Sequence, residues 1–342
     1  MRICLMIEGQ EDVSWDQWRE IAARCEAAGI EGLFRSDHYL SVVGRHERAS
    51  LDAWGTICAL AAVTERLRLG TLVSPVTFRH PSVLAKLVAT ADQISQRQQH
   101  PAHPSQSGLR PSAHGQPHSR GGRIELGIGA GWNKPEHRAY GFEMPDTRTR
   151  MALLSEQLEL VHRQWTEPGF SFSGEHYRVD DLDALPRPER RPRLIVGGSA
   201  GPRSAALAAR WADEYNTVYP TVDEVRERRA AVARACERIG RDPREMPFSL
   251  MTGFLIATDR DELHRRARDL ADWRGEDPSD PDAFIASLPD AWIVGGVPDA
   301  IEQLRELERA GADGVMLQHN LHWDHEAIDL IGRELVPALT GS

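Results

Sequence analysis

Leu69–Thr77, with the sequence LGTLVSPVT, has the composition of a buried β-strand. The stretch is apolar and β-branched, and Pro75 closes it. Two other predicted strands end in a comparable way, one at Ser36–His38 (SDH) and the other at Gly127–Trp132 (GIGAGW). Each of these three ends carries glycine, polar or aromatic residues. Because parallel strands finish at the same edge of a sheet or barrel, they predict one shared pocket.

The rest of the chain alternates strand and helix patterns about eight times. This alternation predicts parallel strands joined by helical crossovers, and eight units in one domain favour a (β/α)8 TIM barrel over an open sheet. A β-hairpin turning at Ser173-Gly174 interrupts the pattern. The predicted barrel strands are Ile3–Ile7, Ile30–Arg35, Leu67–Val73, Arg123–Ile128, Arg193–Val196, Glu214–Val218, Ser249–Ala257 and Asp313–Gln318.

One segment, Gln96–Arg120, lacks apolar periodicity and is rich in His, Pro, Ser, Gln, Gly and Arg. We expect a disordered loop between a helix and the fourth strand, on the barrel face away from the chemistry. Its histidines could bind zinc, but neither cysteine nor acidic residues accompany them, so we predict a solvated linker and no metal site. These histidines are His100, His103, His114 and His118.

Composition sets limits on partners and location. The 342 residues carry a net charge of −10, and such an acidic chain lacks the basic face that non-specific nucleic-acid binding needs. No apolar run approaches the roughly 18 residues of a membrane helix, and no signal peptide is recognisable. The four cysteines are far apart, without a CxxC motif. We therefore expect a cytoplasmic protein with reduced cysteines and no membrane partner.

His38 and Asp37 are the first candidates for chemistry. A histidine at the carboxyl end of a barrel strand can hydrogen-bond a carbonyl or anionic group, or transfer a proton. Asp37 could tune the histidine or point to solvent. The alternative is a loop histidine that only caps a backbone group.

Glycines mark two further strand ends. Gly129 and Gly131 resemble a dinucleotide fingerprint only weakly, and they better suit close approach of the backbone to a flat ring, with Trp132 as a wall. The alternative is a strand end that makes room for its neighbours.

Residues 197–199, Gly-Gly-Ser before a helix, favour phosphate binding through backbone N–H groups, although a simple turn would have the same sequence. Three basic residues could hold an anionic tail: Arg79, Lys134 and Arg203.

Taken in order, these motifs resemble the luciferase-like monooxygenase superfamily. Within it the chain is most similar to the oxidoreductases that use the deazaflavin coenzyme F-420 (F420). The resemblance covers nearly the whole chain except Gln96–Arg120. It is carried by Gly32–His38, Leu69–Val73, Arg79 with Pro81, Gly121–Arg123, Gly127–Trp132, Glu136–Gly141, Gly174–Tyr177, Pro192–Gly198, Ala208–Asp213 with Asn216, Val294–Asp299 and Gly311–Val315.

This resemblance implies a bacterial luciferase-like barrel with an added segment around the hairpin, a homodimer, and a deazaflavin over the strand ends. It implies a cis peptide between Leu72 and Val73 behind the ring, and it gives Asp37 and His38 catalytic positions. In some relatives a proton-donating Glu stands where this chain has Trp132, so His38 or a substrate group would supply the proton. The implied cofactor-binding residues are Thr71, Leu72, Val73, Gly129, Gly131, Trp132, Gly197, Gly198 and Ser199.

The resulting hypothesis is an oxidoreductase that moves a hydride between F420 and a small organic substrate. The main rival is an FMN-dependent monooxygenase, in which a reduced flavin activates oxygen. A rival of another class is a barrel that binds a flavin without catalysis. The sequence does not identify the substrate.

Overall fold

The computed structural model describes residues 1–97 and 122–340. Within these ranges, eight parallel strands close into a barrel in the order β11-β1-β2-β3-β4-β7-β8-β9, and β9 pairs with β11. The predicted (β/α)8 TIM barrel is confirmed. The strands are β1 (Arg2–Ile7), β2 (Gly32–Arg35), β3 (Arg68–Pro75), β4 (Ile124–Gly129), β5 (Phe170–Ser173), β6 (Arg178–Leu182), β7 (Arg193–Gly197), β8 (Glu214–Val218), β9 (Phe248–Ala257), β10 (Ile293–Gly296) and β11 (Gly314–Gln318).

Helices cover the outside of the barrel, and short polar caps fix where they begin. Ser14 and Gln17 form a reciprocal capping box at the start of the first helix, and Asp52 accepts a hydrogen bond from Gly55 N–H at the second. The helices are α1 (Trp15–Ala27), α2 (Ala53–Val63), α3 (Pro81–Arg97), α4 (Lys134–Tyr140), α5 (Thr147–Thr166), α6 (Pro202–Trp211), α7 (Val222–Arg238), α8 (Arg260–Arg274), α9 (Pro281–Ser287), α10 (Val297–Arg309), α11 (His325–Leu330) and α12 (Val336–Thr340), with a 3₁₀ turn at Pro243–Glu245 and a π-helical turn at Ile331–Leu335.

Several local predictions need correction. The sequence analysis missed α4, α9 and the short strand β10, which extends the sheet beyond the barrel along β9. The hairpin turns over residues 174–177 and not at Ser173-Gly174, because Ser173 pairs with Arg178 and the Glu156 carboxylate accepts hydrogen bonds from the turn N–H groups. Helix α3 continues two residues into the predicted insertion, and residues 98–120 of that insertion lie outside the described residues.

Apolar side chains pack in two clusters, one outside the strands and one inside the barrel. The larger apolar core lies between strands and helices, and a smaller cluster inside the barrel includes Met6, Phe34, Leu72 and Met251. At the amino-terminal end, charged side chains replace apolar ones, as Glu125 and Glu214 are fully buried beside arginines. The barrel is therefore closed at this end, and its open end is the one that the strand-end motifs share.

The four cysteines are free, and three of them are buried. None of the described helices combines the length and the apolar character that a membrane crossing requires. Across residues 1–97 and 122–340, no cluster of His, Cys, Asp and Glu side chains has the makings of a metal site.

Candidate active site

A cavity of about 510 Å³ opens at the carboxyl ends of the barrel strands. It brings together most of the residues predicted from sequence, which come from β2, β3, β4, β7 and the loops after them. Asp37, Thr71 and Ser199 are not among its lining residues. The predicted residues that do line it are His38, Leu72, Val73, Gly129, Gly131, Trp132, Gly197 and Gly198.

His38 is held by a carboxylate from a distant part of the chain. Its Nδ1–H donates to Glu136 Oε2 at 2.7 Å, and Glu136 is fully buried on the short helix α4. The other carboxylate oxygen of Glu136 accepts from the backbone N–H groups of Tyr39 and Leu40, which fixes the loop after β2. In the described residues nothing hydrogen-bonds Nε2 of His38, so this nitrogen is left for a ligand in the cavity.

Glu136 also sets the charge of His38. Burial alone lowers the pKa of His38, but the hydrogen bond and the negative charge of Glu136 outweigh burial and raise the pKa above its ordinary value. A histidine in this setting can donate a proton to a developing alkoxide and take one back from a hydroxyl. The pair is thus equipped for acid–base chemistry on an oxygen atom.

Asp37, which was expected to tune His38 or to point to solvent, is buried and does not hydrogen-bond the histidine, so it does not set the tautomer of the ring. Its Oδ2 accepts from Ser74 Oγ and from Arg79 Nη1, each at 2.6 Å. Its negative charge does contribute to the raised pKa of His38, but it ranks after the hydrogen bond and the charge of Glu136. Asp37 holds β2 against β3, and its partner Arg79 also binds Asp52 at 2.8 Å. Arg79 is therefore not available for an anionic tail.

The floor of the cavity is shaped by Val73 and by glycines that face it. The Leu72–Val73 peptide is cis, as the resemblance implied. A Cβ at Gly129 would lie 2.7 Å from Val73 Cγ2, and one at Gly197 would lie 2.8 Å from Val73 Cγ1. Real side chains do not approach so closely, so any larger residue at these two positions would force Val73 or the backbone to shift. Thr71 lies behind this floor, where its hydroxyl donates to Gly127 O at 2.9 Å.

The loop after β7 has the features of a phosphate site. Gly198 lines the cavity, Ser199 is exposed, and α6 starts directly after the loop with Gly201 as its uncapped N-cap. The hydroxyl of Tyr215 accepts from Ala200 N–H at 2.7 Å and keeps the loop in place. Backbone N–H groups at the start of a helix favour an anion. Of the other two basic residues considered for an anionic tail, Arg203 is exposed on the first turn of α6 and Lys134 is exposed at the start of α4.

One buried polar atom in the cavity shows that these residues fit a flat ring cofactor. Asn216 lines the cavity, is buried, and has an Oδ1 atom without a hydrogen-bond donor among the described residues. Its Nδ2 already donates to Ser249 Oγ at 2.8 Å, so the orphaned oxygen is free to accept from a ring N–H. An apolar floor, one unsatisfied acceptor and a phosphate-type loop are what a flavin or deazaflavin requires. The residues present fit such a group.

The mouth of the cavity is aromatic. Trp132 is 62% exposed and sets its edge against His38, with ring centroids 5.7 Å apart. Behind it, Tyr39, Phe78 and Phe142 pack together and support the same rim. Trp132 thus stands where the sequence analysis placed a wall.

Sequence analysis gave no role in the site to several lining residues with polar groups, among them Glu8, Glu136, Asn216 and Gln318. The signal for Glu136 was its place in the motif Glu136–Gly141, directly after the glycine-rich strand end, and the signal for Asn216 was its match to the family. Glu8 directly follows β1 and Gln318 ends β11, so the rule that barrel sites lie at strand ends would have found both.

Comparisons with known proteins agree with this geometry. Residues 3–96 and 118–314 match the model of the luciferase-like monooxygenases. The chain belongs to this family. A relative from Nakamurella multipartita, named F420-dependent glucose-6-phosphate dehydrogenase, is 28% identical, with 94% of this chain and 91% of the relative covered. An FMNH(2)-dependent dimethylsulfone monooxygenase from Pseudomonas putida is 24% identical, with 96% and 89% covered.

Among solved structures, the F420-dependent tetrahydromethanopterin reductase of Methanopyrus kandleri superposes with a TM-score of 0.75 at 18% identity. The superposition covers 98% of this chain and 99% of the reductase. At this identity the likeness concerns the fold, and it supports the barrel described above.

Proposed function

We propose that the chain is an oxidoreductase that transfers a hydride between coenzyme F420 and a small organic substrate. The main support for this proposal is the His38–Glu136 pair. The free Nε2 of His38 faces a cavity that fits a flat ring. When bound, F420 exchanges a hydride with the substrate carbon, so the proton on the substrate oxygen has to move separately. His38 takes that proton during oxidation and returns it during reduction, which balances the reaction.

The remaining residues orient the reactants and exclude water. Val73, with the glycines facing it, would support the ring, and Asn216 would accept a hydrogen bond from it. The loop of Gly197, Gly198 and Ser199 would hold the phosphate. Trp132 would shield the cavity from water. A location in the cytoplasm and a homodimer, both implied earlier, belong to the same proposal.

The relatives support F420 over FMN, since an F420-dependent dehydrogenase is the more similar of the two described above. The test is a fluorescence titration of the purified protein with F420 and, separately, with FMN. A Gly198→Trp variant fills the phosphate loop, because even a Cβ at Gly198 would lie 2.9 Å from the Tyr215 hydroxyl. Ala283→Trp, on the exposed face of α9, is the matched control.

We expect F420 to bind the wild type and the control but not Gly198→Trp. Preferential binding of FMN, with oxygen uptake when FMN is reduced, would replace this proposal by an FMN-dependent monooxygenase. Binding of F420 without turnover of any alcohol or carbonyl compound would favour a barrel that only binds the coenzyme.

A further inference from the structure

We infer that the substrate is an uncharged, largely apolar alcohol or carbonyl compound, and that phosphorylated sugars are rejected. This inference rests on the function proposed above and specifies the substrate class of the same site. It is drawn from the charges that line the cavity, from the engagement of the nearby cations, and from the apolar rim.

The charges that line the cavity are acidic. Among the described lining residues there is neither Lys nor Arg, while Glu8 and Glu136 both contribute carboxylates. Glu136 is matched by His38, but Glu8 forms no ion pair with the described residues. Its carboxylate is held by neutral amides, accepting from Gln10 Nε2 at 2.7 Å and from Gln318 Nε2. The buried Arg35 acts on Glu8 only through its charge and forms no ion pair with it, so an anion entering the cavity would meet a carboxylate without a directly bound cation.

Two arginines near the cavity are already engaged in ion pairs. Arg79 is bound by Asp37 and Asp52, and Arg48 is bound by Glu11 at 2.7 Å. Arg274 forms no ion pair with the described residues, but it packs over the ring of Trp292, 4.8 Å from its centroid, and does not line the cavity. Recognition of a phosphate group normally uses Arg or Lys, since burial of an unpaired dianion is costly. The remaining anion site, the loop after β7, is already assigned to the cofactor.

The rim offers apolar contact instead. Trp132, Val218 and Tyr219 are 62%, 43% and 37% exposed at the mouth, although all three line the cavity. Val42 and Met251 continue this apolar surface inward. Exposed apolar groups around a cavity mark a site for a ligand with an apolar body. One polar oxygen, facing His38 Nε2, then completes the match.

The test uses two probes with the same carbon skeleton, cyclohexylmethanol and cyclohexanecarboxylate, together with glucose 6-phosphate. Their binding to the F420-loaded protein is measured by calorimetry, so the readout does not depend on turnover. We expect the neutral alcohol to bind at least about tenfold tighter than either anion. In Glu8→Gln the preference for the alcohol over the carboxylate should shrink about tenfold, whereas the exposed control Glu175→Gln should keep it.

The possible failures are distinguishable. If F420 binds and glucose 6-phosphate or the carboxylate then binds more tightly than the alcohol, the inference is overturned while the proposed function stands. If F420 binds and the alcohol does not, the inference is overturned as well. If F420 itself does not bind, the proposed function falls, and the inference that rests on it falls too.

Discussion

His38 Nδ1 lies 2.7 Å from Glu136 Oε2, although 98 positions separate the two residues in the chain. The contact joins the loop after β2 to the first turn of α4, which follows β4, and so it reaches across the end of β3. It fixes which ring nitrogen of His38 carries a proton toward Glu136, and so it leaves Nε2 for the substrate. The acid–base function of the site depends on this pair.

The first prediction concerns Glu136→Gln. The glutamine keeps a hydrogen-bond acceptor but removes the negative charge that raises the pKa of His38. The pKa of His38 should fall by about one unit, and the limb of the pH–rate profile that follows His38 should move to lower pH by the same amount. At neutral pH kcat should fall about tenfold. NMR titration of the His38 ring measures the pKa directly, with Glu175→Gln as the control. An unchanged His38 titration would contradict the assigned role.

The second prediction concerns the ring itself. His38→Ala removes the group that exchanges a proton with the substrate oxygen, but not the floor or the phosphate loop. We expect kcat to fall by about 10² to 10⁴-fold while the affinity for F420 changes little. Stopped-flow kinetics and the fluorescence titration measure the two effects separately. Equal losses of cofactor affinity and of kcat would show that His38 acts in binding.

The third prediction separates Asp37 from this chemistry. Asp37→Asn weakens a buried ion pair with Arg79, so the free energy of unfolding should fall by about 2 kcal/mol, while the pKa of His38 should fall less than in Glu136→Gln. Asp183→Asn is the matched control, since Asp183 pairs with Arg187 on the surface and should contribute less than about 1 kcal/mol. Urea unfolding gives both values. A His38 pKa that drops as far in Asp37→Asn as in Glu136→Gln would restore Asp37 to the catalytic pair.

The sequence alone was sufficient to predict the barrel and several residues of the candidate site, but not the partner of His38. The barrel follows from local signals: apolar, β-branched strands closed by Gly or Pro, and capped helices between them. His38 and the glycines at Gly129 and Gly197 were found because barrel chemistry concentrates at strand ends, whereas Val73 was named only through the family resemblance.

Glu136 could not be assigned a role in the same way. Its function arises from a contact between segments 98 residues apart, which local patterning does not encode. Helix α4 has only seven residues, too few for a clear apolar periodicity. Asp37 attracted the assignment because it precedes His38 in sequence, but its carboxylate is bound by Ser74 and Arg79 and not by the histidine.

The fourth prediction tests the fit between Val73 and Gly197. Gly197→Ala places a methyl group 2.8 Å from Val73 Cγ1, which should destabilise the fold by about 1 to 3 kcal/mol and weaken cofactor binding. Val73→Ala removes the opposing methyl groups, so the double variant should lose less stability than the sum of the single variants, by about 1 kcal/mol or more. Gly55→Ala, in an exposed helical position with ordinary contacts, should be neutral or stabilising. Strict additivity would mean that the two residues do not constrain each other.

The last prediction concerns acid stability. Burial lowers the pKa of His322 to about 4, and His319 beside it is also buried, with its pKa lowered to about 4. An unfolded histidine titrates near 6.5, so between these values the unfolded chain binds more protons than the folded one. The free energy of unfolding therefore decreases as the pH falls from about 6.5 toward 4, by about 2 kcal/mol per such histidine between pH 7.5 and 5.

Urea unfolding at several pH values measures this dependence. His322→Asn removes one titrating group, so its stability should fall less steeply between pH 6.5 and 5 than that of the wild type, whatever its stability at pH 7.5. His46→Asn serves as the control because His46 is exposed, and we expect it to reproduce the wild-type slope. A buried, neutral histidine takes up a proton when the chain unfolds, so its removal must make the pH dependence of stability less steep. If His322→Asn keeps the wild-type slope, the acid sensitivity has another source.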